Sequence, residues 1–97
     1  MKTLMIIFNQ SIGEIVMYIL NECSIRGYTK WEEVQGCRSY KGEPHLGTHA
    51  WPAKNTVVMC VLEQEQLNAV LPKLKMLADE ADQQGMRAFV WDAVSVI

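Results

Sequence analysis

The sequence has no long apolar segment, no basic cluster and no paired set of cysteines. Its first apolar run, from Leu4 to Phe8, gives way to polar residues after five positions, too short for a membrane span or a signal peptide. The nine Lys and Arg residues are scattered along the chain and are outnumbered by eleven Asp and Glu, so no surface favours nucleic acid. We expect a cytoplasmic protein that neither inserts into a membrane nor binds nucleic acid.

Cysteine chemistry and catalytic motifs are also lacking. Cys23, Cys37 and Cys60 are an odd number at wide spacings, which indicates reduced thiols. No nucleophile elbow, phosphate-binding loop or HExxH motif occurs. Glu32 and Glu33 are adjacent, and neighbouring side chains on a regular strand point to opposite faces, so they form no acid-base pair. We therefore expect no enzymatic activity.

What is present is the composition of an ordinary globular chain. At 97 residues, 49% of them hydrophobic and 21% charged, the chain is long enough for one domain and too short for two. We expect a single domain over residues 1–97.

The first half reads as strand, helix, strand. Leu4 to Phe8 suits a central strand. Ser11 and Glu14 have capping-box spacing at the start of a helical apolar stripe that we expect to end at Gly27. The residues of that stripe are Ile12, Ile15, Val16, Ile19, Leu20 and Cys23. From Tyr28 to about Tyr40 the mixture of aromatic, β-branched and charged residues predicts a partly exposed strand with imperfect alternation.

The stretch from Lys41 to Asn55 has two Gly, two Pro and no clean period, which predicts a long loop. Loops of this length in compact domains are usually functional, so recognition is expected here.

The second half repeats the order. Thr56 to Leu62 reads as a strand, and an apolar stripe from Leu67 to Ala81 predicts a helix. Pro72 should kink this helix near 66–72 or lie in the first turn of a restarted one. We expect Gly85 to end the helix and Ala88 to Val96 to form the last strand.

The resulting β-α-β-β-α-β order predicts an α+β, ferredoxin-like fold, a four-stranded antiparallel sheet with two helices on one face. Because the helices cover only one face, apolar residues on the other would favour a homo-oligomer. Trp31, Trp51 and Trp91 are predicted to lie in the core or at a subunit interface.

Several short motifs resemble those of the PII-type nitrogen-regulatory signalling proteins and their shortened relatives. They are Gly27-Tyr-Thr29, Val34-Gln-Gly36, Lys41-Gly42, Ala88-Phe-Val90 followed by Ala93-Val94, and the segment Gly47 to Asn55. The resemblance extends over most of the chain. Ser39 and Tyr40 replace family residues, and the basic loop before the last strand is shortened to Gln84-Gly-Met-Arg87.

Membership of this family would imply a homotrimer with a small anionic ligand, an adenine nucleotide by preference, bound between subunits. It would also make 41–55 a shortened T-loop that meets a partner protein. The residues assigned to ligand binding on this basis are Thr29, Gly36, Arg38, Lys41, Gly42 and Arg87. Glycines would allow close backbone approach, and the basic side chains would face phosphate.

Two loop histidines leave a second interpretation open. His45 and His49 lie four residues apart with Cys37 nearby in the sequence, a set of groups that zinc or copper accepts. Three copies in a trimer would multiply such ligands. The alternative function is thus a trimeric metal-binding protein for divalent-metal homeostasis, similar to CutA.

Overall fold

Four strands and two α-helices make up the computed structural model, which describes residues 1–35, 54–81 and 85–97. In chain order the elements are β1 (Lys2–Asn9), a short 3-10 helix (Gln10–Ile12), α1 (Gly13–Glu22), β2 (Thr29–Gln35), β3 (Lys54–Leu62), α2 (Gln64–Glu80) and β4 (Arg87–Asp92). In this part of the chain, no helix combines the length and the apolar content needed to cross a membrane.

The strands form one antiparallel sheet in the order β2-β3-β1-β4. Strands β1 and β3 occupy the centre, while β2 and β4 are the two edges. This confirms the predicted ferredoxin-like α+β fold.

Both helices contribute to one core on the same side of the sheet. From β1, Leu4, Ile6 and Phe8 are completely buried there, as the alternation of a half-covered strand requires. The core is completed from β3 by Val58, Cys60 and Leu62, from α1 by Val16, Ile19 and Leu20, and from α2 by Leu67, Val70, Leu74 and Leu77.

The start of the first helix differs from the prediction. Asn9, not Ser11, makes the cap, because its side-chain Oδ1 accepts a hydrogen bond of 2.9 Å from the Ser11 backbone N–H. The chain then makes a 3-10 turn before α1 begins at Gly13, without a side-chain cap. The capping-box reading was wrong because asparagine caps helices as readily as serine.

The same helix ends five residues before Gly27, at Glu22. Ser24 takes the left-handed conformation with φ 60°, and its N–H bonds to the Asn21 carbonyl at 3.0 Å. A left-handed residue closes many helices, and here that residue is a serine rather than the predicted glycine. Gly27 has no positive φ.

The second helix runs unbroken through Pro72, so the predicted restart was wrong. Pro72 is on the exposed side, where water can satisfy the Asn68 carbonyl that loses its intrahelical donor. At the start of the helix, the Glu63 N–H donates to Gln66 Oε1 at 3.1 Å. The Gln66 amide in turn donates to the Ser24 carbonyl at 3.3 Å, which ties α2 to the turn after α1.

Several strand and helix ends also move. β3 begins at Lys54 and so includes two residues of the predicted 41–55 loop. The helix ends at Glu80 rather than near Gly85, which instead takes a left-handed φ of 66° shortly before β4. β4 ends at Asp92, well before Val96. Residues 36–40 of the predicted second strand lie outside the described residues.

The sheet is joined near the chain start by an ion pair between Lys2 of β1 and Asp92 of β4. The hydrogen bond and the positive charge of Lys2 lower the pKa of the Asp92 carboxyl. Both side chains are partly or largely exposed, so the pair contributes little to stability.

The buried thiol of Cys60 makes stability depend on alkaline pH. Burial raises its pKa from 9.0 to about 11, so between these values the unfolded chain loses a proton that the folded chain retains. Stability should therefore fall by roughly 2 to 3 kcal/mol as pH rises through this window. We predict that Cys60→Val removes this part of the decline in denaturant-unfolding curves at pH 8 to 11. Cys23→Ala, at a partly buried thiol, is the control, and an unchanged slope in Cys60→Val would contradict the prediction.

Candidate functional site

The side of the sheet away from the helices, here called the open face, is mainly apolar. Strand register places these side chains on it: Thr3, Met5 and Ile7 of β1, Thr29, Trp31 and Val34 of β2, Val57, Met59 and Val61 of β3, and Arg87, Phe89 and Trp91 of β4. Only two threonines and one arginine in this set are polar.

Cross-strand rows give the open face an aliphatic centre and aromatic edges. One row contains Trp31, Val57, Ile7 and Arg87, and the next contains Thr29, Met59, Met5 and Phe89. The edge aromatic side chains are about half exposed. Contiguous apolar surface of this kind usually marks a protein–protein interface.

Two of the predicted ligand residues lie within the described residues, and both are on the open face at opposite edges. Thr29 begins β2, and Arg87 begins β4. Three strand spacings of about 4.8 Å separate these strands, or roughly 14 Å. The two side chains therefore do not meet within one chain. The Arg87 guanidinium donates one bond of 2.9 Å to the Met86 carbonyl, which leaves its other donors available.

The other predicted site residues lie outside the described residues. These are the ligand candidates Gly36, Arg38, Lys41 and Gly42 and the metal candidates His45 and His49. The described chain stops and resumes at a cross-strand pair, Gln35 of β2 and Lys54 of β3. The segment 36–53 is thus attached to adjacent strand ends at one end of the sheet.

A β-bulge in β2 lies just before this attachment. Trp31 pairs with Val57 and Val34 pairs with Asn55, so two residues of β2, Glu32 and Glu33, stand opposite one residue of β3. Glu33 takes a left-handed φ of 58°, which is unusual for a residue other than glycine. Bulges redirect side chains and are frequent beside functional sites.

The bulge corrects the expectation that Glu32 and Glu33 point to opposite faces. Both side chains line one groove on the helix side of the sheet, because the extra residue interrupts the alternation of β2. Each carboxylate has a lysine near it, with Lys30 Nζ 3.0 Å from Glu32 and Lys54 Nζ 3.6 Å from Glu33. The signal in the sequence was the spacing of three between Trp31 and Val34, which a regular strand would place on opposite faces.

The strained backbone at Glu33 gives a matched pair of test variants. We predict that Glu33→Val lowers the free energy of unfolding by about 1 to 2 kcal/mol, because a β-branched residue is disfavoured at positive φ. Glu32→Val is the control, since it also removes one exposed ion pair but keeps extended backbone. Denaturant unfolding measures both. Equal stability of the two variants would show that the left-handed residue is not at position 33.

Comparison with known proteins connects this geometry to a family. The family model described as nitrogen regulatory protein P-II matches residues 1–97. The chain belongs to this family. The predicted resemblance to PII-like proteins is therefore confirmed.

Solved PII-like structures share the fold of this family member at low sequence identity. The apo form of CPII from Thiomonas intermedia K12 gives a TM-score of 0.71 at 20% identity, covering 95% of this chain and 87% of that one. CPII bound to ADP and bicarbonate gives 0.73 at 21% identity, covering 95% and 84%. A candidate PII-like signalling protein from Thermus thermophilus gives 0.64 at 15%, covering 93% and 83%. The search of curated proteins found no match.

Proposed function

We propose that this PII-family protein is a trimeric regulator, not an enzyme, which binds an adenine nucleotide or similar small anion between subunits. The 41–55 loop presents a surface to a partner protein. The proposed ligand residues are Thr29, Gly36, Arg38, Lys41, Gly42 and Arg87. The loop's role in partner binding rests on the family resemblance.

The observation that carries the proposal is the position of Thr29 and Arg87 on opposite edges of the open face. A head-to-tail interface would set the β2 edge of one copy beside the β4 edge of the next. Interfaces of this type close into rings, whereas a two-fold dimer joins like surfaces. A cyclic trimer thus completes the ligand site at each interface and covers the open face at its centre.

The neighbouring structures support the choice of ligand class. CPII from Thiomonas intermedia K12 has been solved with ADP and bicarbonate, and with ADP, AMP and bicarbonate. Arg87 and Lys41 would supply the positive charge for such anions in this chain, since charged N–H donors bind phosphate strongly.

The CutA-like alternative gains no support. No group of three or more His, Cys, Asp or Glu side chains suitable for a metal ion occurs within 1–35, 54–81 and 85–97. His45 and His49 as zinc or copper ligands stay a prediction from the sequence.

Nucleotide binding is tested by calorimetry with ATP, ADP and AMP, each with and without bicarbonate. We predict binding to the wild type, weakened roughly tenfold or more by Lys41→Ala and by Arg87→Ala, because each removes a charge-assisted hydrogen bond to phosphate. Lys75→Ala is the matched control, since Lys75 is exposed on α2, away from the open face. The absence of heat with every nucleotide would rule out this ligand class.

Assembly is tested on the open face by analytical ultracentrifugation. The wild type should sediment as a trimer, and Phe89→Asp should raise its dissociation constant at least roughly 100-fold, because a buried unpaired carboxylate is strongly unfavourable. Phe89 is 51% exposed in one chain, so the change leaves the core intact. Met76→Asp, at a 65% exposed position on α2, should remain trimeric. A monomeric wild type, or dissociation of both variants, would contradict the proposed interface.

A further inference from the structure

A groove of about 440 Å³ lies on the helix side of the sheet, between the start of α1 and the bulged part of β2. It is separate from the open face, because its β2 and β3 residues carry their side chains toward the helices. The volume falls in the range of small-molecule sites.

The charge of the groove is negative. Its lining includes three carboxylates, those of Glu14, Glu32 and Glu33, and one ammonium group, that of Lys30. The ion pair of Lys30 with Glu32 and that of Lys54 with Glu33 are partly solvent-exposed, so they are weak and leave the carboxylates able to bind other cations. Phosphate and other anions are disfavoured here.

A buried hydroxyl gives an independent indication of a ligand. Thr56 is only 4% exposed and lines the groove opposite the bulge. Within the described residues, its side chain has no hydrogen-bond partner. Because no completely inaccessible side-chain oxygen or nitrogen there is unpaired, the Thr56 hydroxyl is reachable from the groove and free to accept a bond from a ligand.

We propose that this groove binds a small organic cation with two or more primary ammonium groups, such as an aliphatic polyamine. Ammonium groups are donors only, and the groove offers carboxylate acceptors, the Thr56 hydroxyl and the Gln10 amide oxygen. The side chain of Met17 supplies apolar surface for the methylene chain between the charges.

A metal ion suits the groove less well. The described carboxylates do not come together with other ligands in a group that could hold a metal. Distributed acceptors around an elongated space instead match separated positive charges on one flexible chain. This ligand class is independent of the nucleotide proposed for the subunit clefts.

The experiment titrates the full-length protein with spermidine by calorimetry and by amide NMR in 150 mM NaCl. We expect shifts centred on Glu33 and Thr56. Glu32→Gln/Glu33→Gln should weaken binding by roughly fivefold to 30-fold, because each lost ion pair near 4 Å in water changes affinity about fivefold. Thr56→Val should weaken it roughly fivefold. Since its hydroxyl has no partner in the described residues, Thr56→Val should leave the melting temperature unchanged or raised.

Asp79→Asn/Glu80→Gln is the matched control, because it removes the same charge from the exposed end of α2. Spermidine binding should be unchanged in this variant. Equal weakening in both double variants would mean attraction to overall charge and would overturn the proposal, as would no binding at millimolar spermidine. A lysine-rich peptide forms a second arm. Binding of the peptide but not of spermidine would replace the small molecule with a basic protein partner.

Discussion

The physical constraint on which the structure depends is that two helices can cover only one face of a four-stranded sheet. The helix side encloses a complete core, with Leu4, Ile6 and Phe8 excluded from water. The open face is nearly as apolar, yet nothing within the described chain covers it. This imbalance makes association with other copies favourable and explains why a ligand site split between the two sheet edges is reasonable.

The regular periodicities of the sequence were sufficient to predict the fold. The central apolar strands and both helical stripes correspond to elements of the structure, and their order determined the sheet topology. The errors fall at element ends, where one hydrogen bond decides the outcome. Asn9 caps where Ser11 was expected, and Ser24 rather than Gly27 takes the left-handed conformation. Pro72 remains inside α2 because its exposed position lets water replace the lost bond.

The sites were less accessible to sequence reasoning. Thr29 and Arg87 were assigned by family resemblance, and only the strand order shows that they lie on opposite edges. The groove beside the bulge was missed because it depends on two adjacent glutamates that share one side of a strand. Alternation forbids this arrangement in a regular strand. The departure from alternation between Trp31 and Val34 was visible in the sequence, but several irregular conformations could have produced it.

The bulge also affects how this chain should be aligned with its relatives. An extra residue between Trp31 and Val34 keeps both apolar side chains on the open face while changing the phase of the strand. Against a relative whose second strand is regular, a gap of one residue belongs at Glu32 or Glu33. Without that gap, every position from Val34 into the loop would be matched to the wrong neighbour, and functional roles transferred to Gly36 or Lys41 would each be displaced by one residue.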